Sequence, residues 1–137
     1  MRLADVMDEV AVVAGTIPGL TTYAWPTDEA SPPAAWPTYP VEMTVNVAFQ
    51  RGTDRWQGGL WVATGRVWDR ETRDALSRYT AGDGPESIVA AFFAHDWQAC
   101  GYARPVRWTF DAITIAGVEM MAALLDLDIA GPGLQEG

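Results

Sequence analysis

Residues 41–68 read VEMTVNVAFQRGTDRWQGGLWVATGRVW, two β-like runs on either side of a glycine-rich loop. In the first run Val41, Met43, Val45, Val47 and Phe49 alternate with Glu42, Thr44, Asn46 and Ala48. That period of two belongs to a strand with one face buried. Leu60 to Trp68 reads as a second strand, and the loop between them carries Arg51, Asp54, Arg55 and Trp56. Together they predict a long central β-hairpin whose strands span roughly 30 Å and whose tip projects.

Towards the N-terminus, Leu3, Val6, Met7, Val10 and Val13 recur at helical spacing, opposite Asp5, Asp8 and Glu9, and Gly15 supplies a stop. Thr21 to Trp25 then reads as a short strand ended by Pro26. The segment TDEASPPAAWPTYP, residues 27–40, holds four prolines and no periodicity, so it is expected to be an extended surface loop. Its Trp36 and Tyr39 are large aromatics that need a partner surface to cover them.

Beyond the hairpin, Asp69 is placed to cap a helix running to about Thr80, with Gly82 as a left-handed stop. Asp83 or Gly84 would cap a second helix with Pro85 at its first position, and in that helix Ile88, Ala91, Phe92 and His95 share a face. PVRWTFDAITIAG and VEMMAALLDLDIAG read as two strands turning near Ala116-Gly117. Asp126 to Ile129 is strand, while the start of the last segment is ambiguous. The order is α-β-β-β-α-α-β-β, which favours an α+β layer: a four- to five-stranded, mostly antiparallel or mixed sheet with helices on one face.

A chain of 137 residues is the usual size for one domain, expected here to span 1–137 with one core and no linker. The hydrophobic fraction of 49% with seven Trp excludes a disordered chain, and no apolar run approaches a membrane span. Acidic residues inside the first ten positions argue against a secretory leader. One cysteine, Cys100, and one histidine, His95, make zinc, iron-sulfur and Cys/His nucleophile chemistry weak readings. A net charge of −9 argues against a phosphate-gripping surface. All nine basic residues are arginine, which favours bidentate ion pairs.

The densest charge cluster, residues 69–78, offers paired carboxylates for acid-base work or a metal. On a helix, however, Asp69 with Arg73, and Asp74 with Arg70 and Arg78, sit three or four apart and pair across turns as a solvated face. The GDGP turn lacks the Lys and Ser/Thr of a phosphate loop. His95 sits near a helix C-terminus, where capping is its expected job. No serine lies in a G-x-S-x-G context, so nothing positive supports an enzyme. In contrast, Arg51 and Arg55 with Trp56 on a projecting loop are positioned to touch something outside the fold. Aromatic and arginine enrichment without lysine is the composition of interface cores, and it points to a subunit.

Taken together, MRLADVMDEVA, AWPTDEASPPAAWPTYP, the central hairpin, GRVWDRETRDALSRYTAGDGPESI and the ending ITIAGVEMMAALLDLDIAGPG resemble the tail terminator, or tail-completion, family of long-tailed actinobacterial phages. The resemblance covers nearly the whole chain. It implies a neck protein without catalytic residues or cofactor that assembles as a ring, typically a hexamer, on the last tail-tube ring. Such a ring would stop tube growth and present a surface to the head connector or stopper protein, while DNA passes through its lumen without sequence-specific binding. Its place would be the tail end of the virion, after assembly in the host cytoplasm.

By the same resemblance the hairpin tip with Arg51, Asp54, Arg55 and Trp56 is the candidate contact for the channel or the neighbouring ring. Trp36, Tyr39, Arg70, Arg73, Asp74 and Arg78 are the candidates for the oligomer or partner interface. A head-tail stopper or other connector ring, and an unrelated small protein-binding module, are the alternatives.

Overall fold

The structure, a computed structural model, describes residues 1–26, 31–45 and 53–132. In chain order it contains α1 (Leu3–Ala14), β1 (Thr21–Thr22), β2 (Ala34–Thr38), β3 (Met43–Thr44), β4 (Thr53–Arg66), α2 (Arg70–Tyr79), α3 (Ile88–Ala94), β5 (Tyr102–Ile115) and β6 (Val118–Pro132). This is an α+β protein with a mixed sheet and, among the described residues, three helices. Its sheet has six strands rather than the expected four to five, in the order β1-β2-β4-β6-β5 with β3 also on β4. The mixed character comes from the parallel pairing of β1 with β2; every other neighbour is antiparallel.

One face of the sheet is covered. Val6, Val10 and Val13 of α1, Ala75 and Tyr79 of α2, and Ile88 and Phe92 of α3 share a core with Trp56, Leu60 and Val62 of β4 and Leu125, Leu127 and Ile129 of β6. The periodicity of α1 and the alternation of LDLDI dictate this: each puts its apolar residues on one side at its own period. Burying a Leu, Ile or Phe here contributes about 1.5–3 kcal/mol. A smaller cluster, Ala34, Trp36, Ala63, Ile115 and Ala122, lies on the opposite face and contains no helical residue.

The hairpin of residues 41–68 differs from its expected form. β4 begins at Thr53, so Asp54, Arg55 and Trp56 lie in a strand and not in a loop tip. β3 pairs with it only at Met43↔Trp56 and Thr44↔Arg55, and residues 46–49 fall outside the described residues. The glycines that signal a turn in sequence, Gly58 and Gly59, are strand residues chosen for space. A Cβ at Gly58 would stand 2.8 Å from Ile129 Cδ1, and one at Gly59 2.9 Å from Leu124 Cδ1.

The proline-rich segment is likewise not all loop. Ala34–Thr38 is a buried strand, paired from Ala34↔Ala63 to Thr38↔Gly59. Pro37 is tolerated because β1 covers only Ala34 and Ala35, so its missing N–H faces an open edge. β2 and β3 run end to end along the same edge of β4, with Tyr39 to Glu42 bulging out between them. Among the described residues the long hairpin is β5–β6, turning at Ala116 (φ 50°) and Gly117 (φ 82°). Residues 118–125, ambiguous in sequence, are strand throughout.

Caps differ from expectation as well. α2 ends at Thr80 in right-handed conformation, its hydroxyl donating to the Leu76 carbonyl; Gly84, not Gly82, takes positive φ. α3 is capped by Ser87, whose hydroxyl oxygen accepts from Ala90 N–H at 3.1 Å, so neither Asp83 nor Gly84 caps it and Pro85 is not its first residue.

Candidate functional site

The sheet face opposite the three helices carries a groove and two ion pairs. Alternation along β6 directs Asp126 and Asp128 there, while Leu125, Leu127 and Ile129 enter the core. Arg55 of β4, diagonal to Asp128 across the ladder, donates to both of its oxygens, Nε at 3.0 Å and Nη2 at 2.9 Å. Arg107 Nε of β5 lies 3.0 Å from Asp126 Oδ2. The Arg55–Asp128 fork is bidentate and fixes the orientation of the guanidinium. Hydrogen bonding to Asp128 also holds Arg55 protonated more firmly than usual.

The bulge between β2 and β3 forms a wall beside these pairs. Tyr39, Val41 and Glu42 face Arg55, Leu124, Asp126 and Asp128 across a groove of about 930 Å³, with Gly59 in its floor. Val41 is wholly exposed and Tyr39 and Val106 are more than half exposed. Apolar side chains rimmed by oriented ion pairs make a surface suited to a protein partner.

A second groove, about 950 Å³, lies between α1 and residues 95–101. Here Glu9 is occupied by structure. Its carboxylate accepts from the backbone N–H of Gln98 and Ala99, at 2.9 and 2.6 Å, and from His95 Nε2–H at 2.6 Å. Burial pushes the Glu9 carboxyl up, but the Ala99 and Gln98 N–H groups and His95 outweigh it, and the carboxyl titrates below its ordinary range. His95 occupies the C-cap position of α3 in extended conformation, as its place in the sequence suggested, but its ring bonds Glu9 and so ties the end of α3 to α1. Cys100 beside it is buried, and burial, with the Glu9 charge second, pushes its thiol up to about 11. Among the described residues no group of three His, Cys, Asp or Glu is placed to hold a metal ion.

Of the residues singled out in the sequence, Arg51 lies outside the described residues. Asp54 and Trp56 are buried on the helix face of β4, which removes them from any projecting tip. Asp54 Oδ1 has no hydrogen-bond partner among the described residues. Arg55 stands on the open face in its pair with Asp128. Trp36 is covered within the chain, in the second cluster, while Tyr39 is exposed. The structure thus separates two aromatics that the sequence groups together.

On α2, Arg70, Arg73, Asp74 and Arg78 are exposed and Thr72, Ala75, Leu76 and Tyr79 are buried. The pairing across turns is replaced by other partners: Arg73 donates to its neighbour Asp74 at 3.1 Å, and Arg78 meets Glu86 at 2.8 Å. Asp69 occupies the N-cap position without a side-chain bond.

Sequence reasoning missed Glu9, Asp126 and Asp128. Glu9 belongs to the polar side of a helical pattern, and nothing local marks its tie eighty-six residues away. The LDLDI alternation carried a signal for the two aspartates, but their arginine partners sit on other strands. No model of a known protein family matches the chain, and no curated protein matches it.

Proposed function

We propose that the protein is a structural subunit of a phage neck, a tail terminator that forms a ring on the end of the tail tube, stops its growth and joins it to the head connector. The observation that carries this reading is the open sheet face, where Tyr39, Val41 and Val106 are left exposed beside the Arg55–Asp128 and Arg107–Asp126 pairs. An exposed apolar surface rimmed by such pairs calls for a protein partner. The resemblance of nearly the whole chain to the terminator family supplies the rest: a homo-oligomeric ring, typically six copies, without cofactor or catalytic residue, in the neck of the virion.

Size and charge are compatible with it. A 137-residue globule has a radius of gyration of roughly 14 Å, so several copies are needed to surround a duplex. With net charge −9 per copy, a ring repels the phosphates of DNA in its lumen and favours sliding over sticking. Because Arg55 is held by Asp128, it is not the residue through which this ring would meet DNA.

Native mass spectrometry of the purified chain, alone and with tail tubes, together with electron microscopy of the tube ends, tests the proposal. A ring that caps tubes is expected. A monomer that leaves tubes uncapped overturns it, and a ring that binds the connector but not the tube assigns the chain to the stopper position instead.

A further inference from the structure

β5 ends the sheet: β6 pairs its inner edge, and among the described residues no strand pairs its outer edge. Ile115 and Val118 flank the two-residue turn, so they exchange hydrogen bonds with each other. Counting back by twos, Thr114, Ala112, Phe110 and Trp108 turn their N–H and C=O groups outward, the Ala112 N–H donating to Asp111 Oδ1 at 2.8 Å and the others open to a partner strand. Pro105 and the bulge before Arg107 interrupt this edge at one end, but residues 107–115 form an uninterrupted run. An edge of that length is a ready template for another strand.

The side chains specify which strand fits. Arg107, Thr109 and Asp111 alternate on the open face of the sheet, and Trp108 and Phe110 on the helix face, with Phe110 52% exposed. An antiparallel copy of the same strand centred on Thr109 sets Arg107 opposite Asp111 of the second copy and Trp108 opposite its Phe110, each pair occurring twice about the dyad. In this register the outward N–H and C=O groups of Trp108 and Phe110 become the hydrogen-bonded pairs, and the two Thr109 residues face each other in a close, non-hydrogen-bonded pair. Centring on residue 107 would oppose two arginines, and centring on 111 two aspartates. Arg107 keeps its bond to Asp126, because a guanidinium has donors for both carboxylates.

We propose that the protein self-associates as a twofold dimer through antiparallel pairing of β5 with β5 of a second copy, centred on Thr109. A twofold contact is distinct from the head-to-tail contact that a ring requires, so this proposal and the ring reading stand or fall separately.

Sedimentation of the full chain over a range of concentrations, with oxidative cross-linking, tests the pairing. A reversible, concentration-dependent dimer is expected. Thr109→Cys forms a disulfide-linked dimer under mild oxidation, whereas Thr114→Cys does not, since its twin lies about 30 Å away along the ribbon. Buried Cys100 does not compete. Asp111→Arg weakens the dimer by about tenfold or more, because the dyad counts each opposed charge twice. Phe110→Pro removes an outward donor without touching the β6 ladder and abolishes pairing, while an unchanged far-ultraviolet spectrum confirms the fold. A monomer at every concentration with Thr109→Cys uncross-linked overturns the proposal. So does an oligomer indifferent to Asp111→Arg and Phe110→Pro.

Discussion

Glu9 Oε2 lies 2.6 Å from His95 Nε2, joining the middle of α1 to the end of α3 across eighty-six residues of chain. The same carboxylate accepts the N–H groups of Gln98 and Ala99. Three donors converging on one anion fix the segment that leads from α3 into β5. Truncation in Glu9→Ala is expected to destabilise the fold by about 2 kcal/mol, since hydrogen bonds to charged groups are the stronger kind. Urea unfolding at neutral pH measures it.

The Glu9 tie also sets a pH dependence. Its carboxyl titrates lower in the folded chain than in the unfolded one, so its contribution is fully present above the unfolded carboxylate pKa and is lost as pH falls through the folded value. The stability gap between the native chain and Glu9→Ala should therefore hold at neutral pH and narrow in acid. Unfolding curves collected between pH 7 and strongly acid conditions show whether it does.

Ala116 is the one non-glycine residue with positive φ among the described residues, at the first position of the β5–β6 turn. Two-residue hairpin turns of this hand favour Asn or Gly there. Replacement Ala116→Asn or Ala116→Gly should raise stability by about 0.5–1 kcal/mol, because alanine in the left-handed region carries a strain of about that size or more. An increase in Tm of a few degrees is the signature.

Gly65 has the opposite character. Its φ of 147° and the 2.6 Å that would separate an added Cβ from Thr72 Oγ1 leave no room where β4 meets the first turns of α2. Gly65→Ala should cost about 2 kcal/mol through strain and displacement of Thr72. The loss should appear as a lower urea midpoint with an unchanged slope.

Trp36 and Tyr39, three residues apart, should respond oppositely to truncation. Trp36 is packed with Ala63, Ile115 and Ala122, so Trp36→Ala is expected to cost about 3–5 kcal/mol. Tyr39 is 63% exposed, and Tyr39→Ala should leave stability within about 0.5 kcal/mol while, if the proposed terminator role holds, weakening tube binding. Thermal melts and a tube-binding assay, run side by side, separate the two effects.

Cys100 should be chemically silent in the native state. Burial and the neighbouring Glu9 charge push its thiol up to about 11, which leaves almost no thiolate near neutrality. Labelling with a thiol reagent should be slow in buffer and complete in denaturant; rapid native labelling would show that the segment from 95 to 101 opens.

Local pattern was legible where it repeats at the period of one element. The Leu3–Ala14 helix, the buried Ile88 and Phe92, the Ala116-Gly117 turn and the inward side of LDLDI all follow from spacing that the chain carries within itself. Charge density at 69–78 was legible too, as an exposed helical face. Its partners were not, because Arg78 finds Glu86 beyond the helix end.

What the sequence determined alone is therefore the class of the fold and which side of each regular element is apolar, since both depend on period and composition over a few turns. Only the tertiary structure decided that Ala34–Thr38 is a strand despite its proline, that Gly58 and Gly59 make room for β6 side chains and do not form a turn, and that Glu9 and Asp128 are spoken for by distant partners. Each of these rests on contacts between residues far apart in the chain, where the free edge of a strand, the reach of a methyl group or the convergence of donors on an anion outweighs local preference.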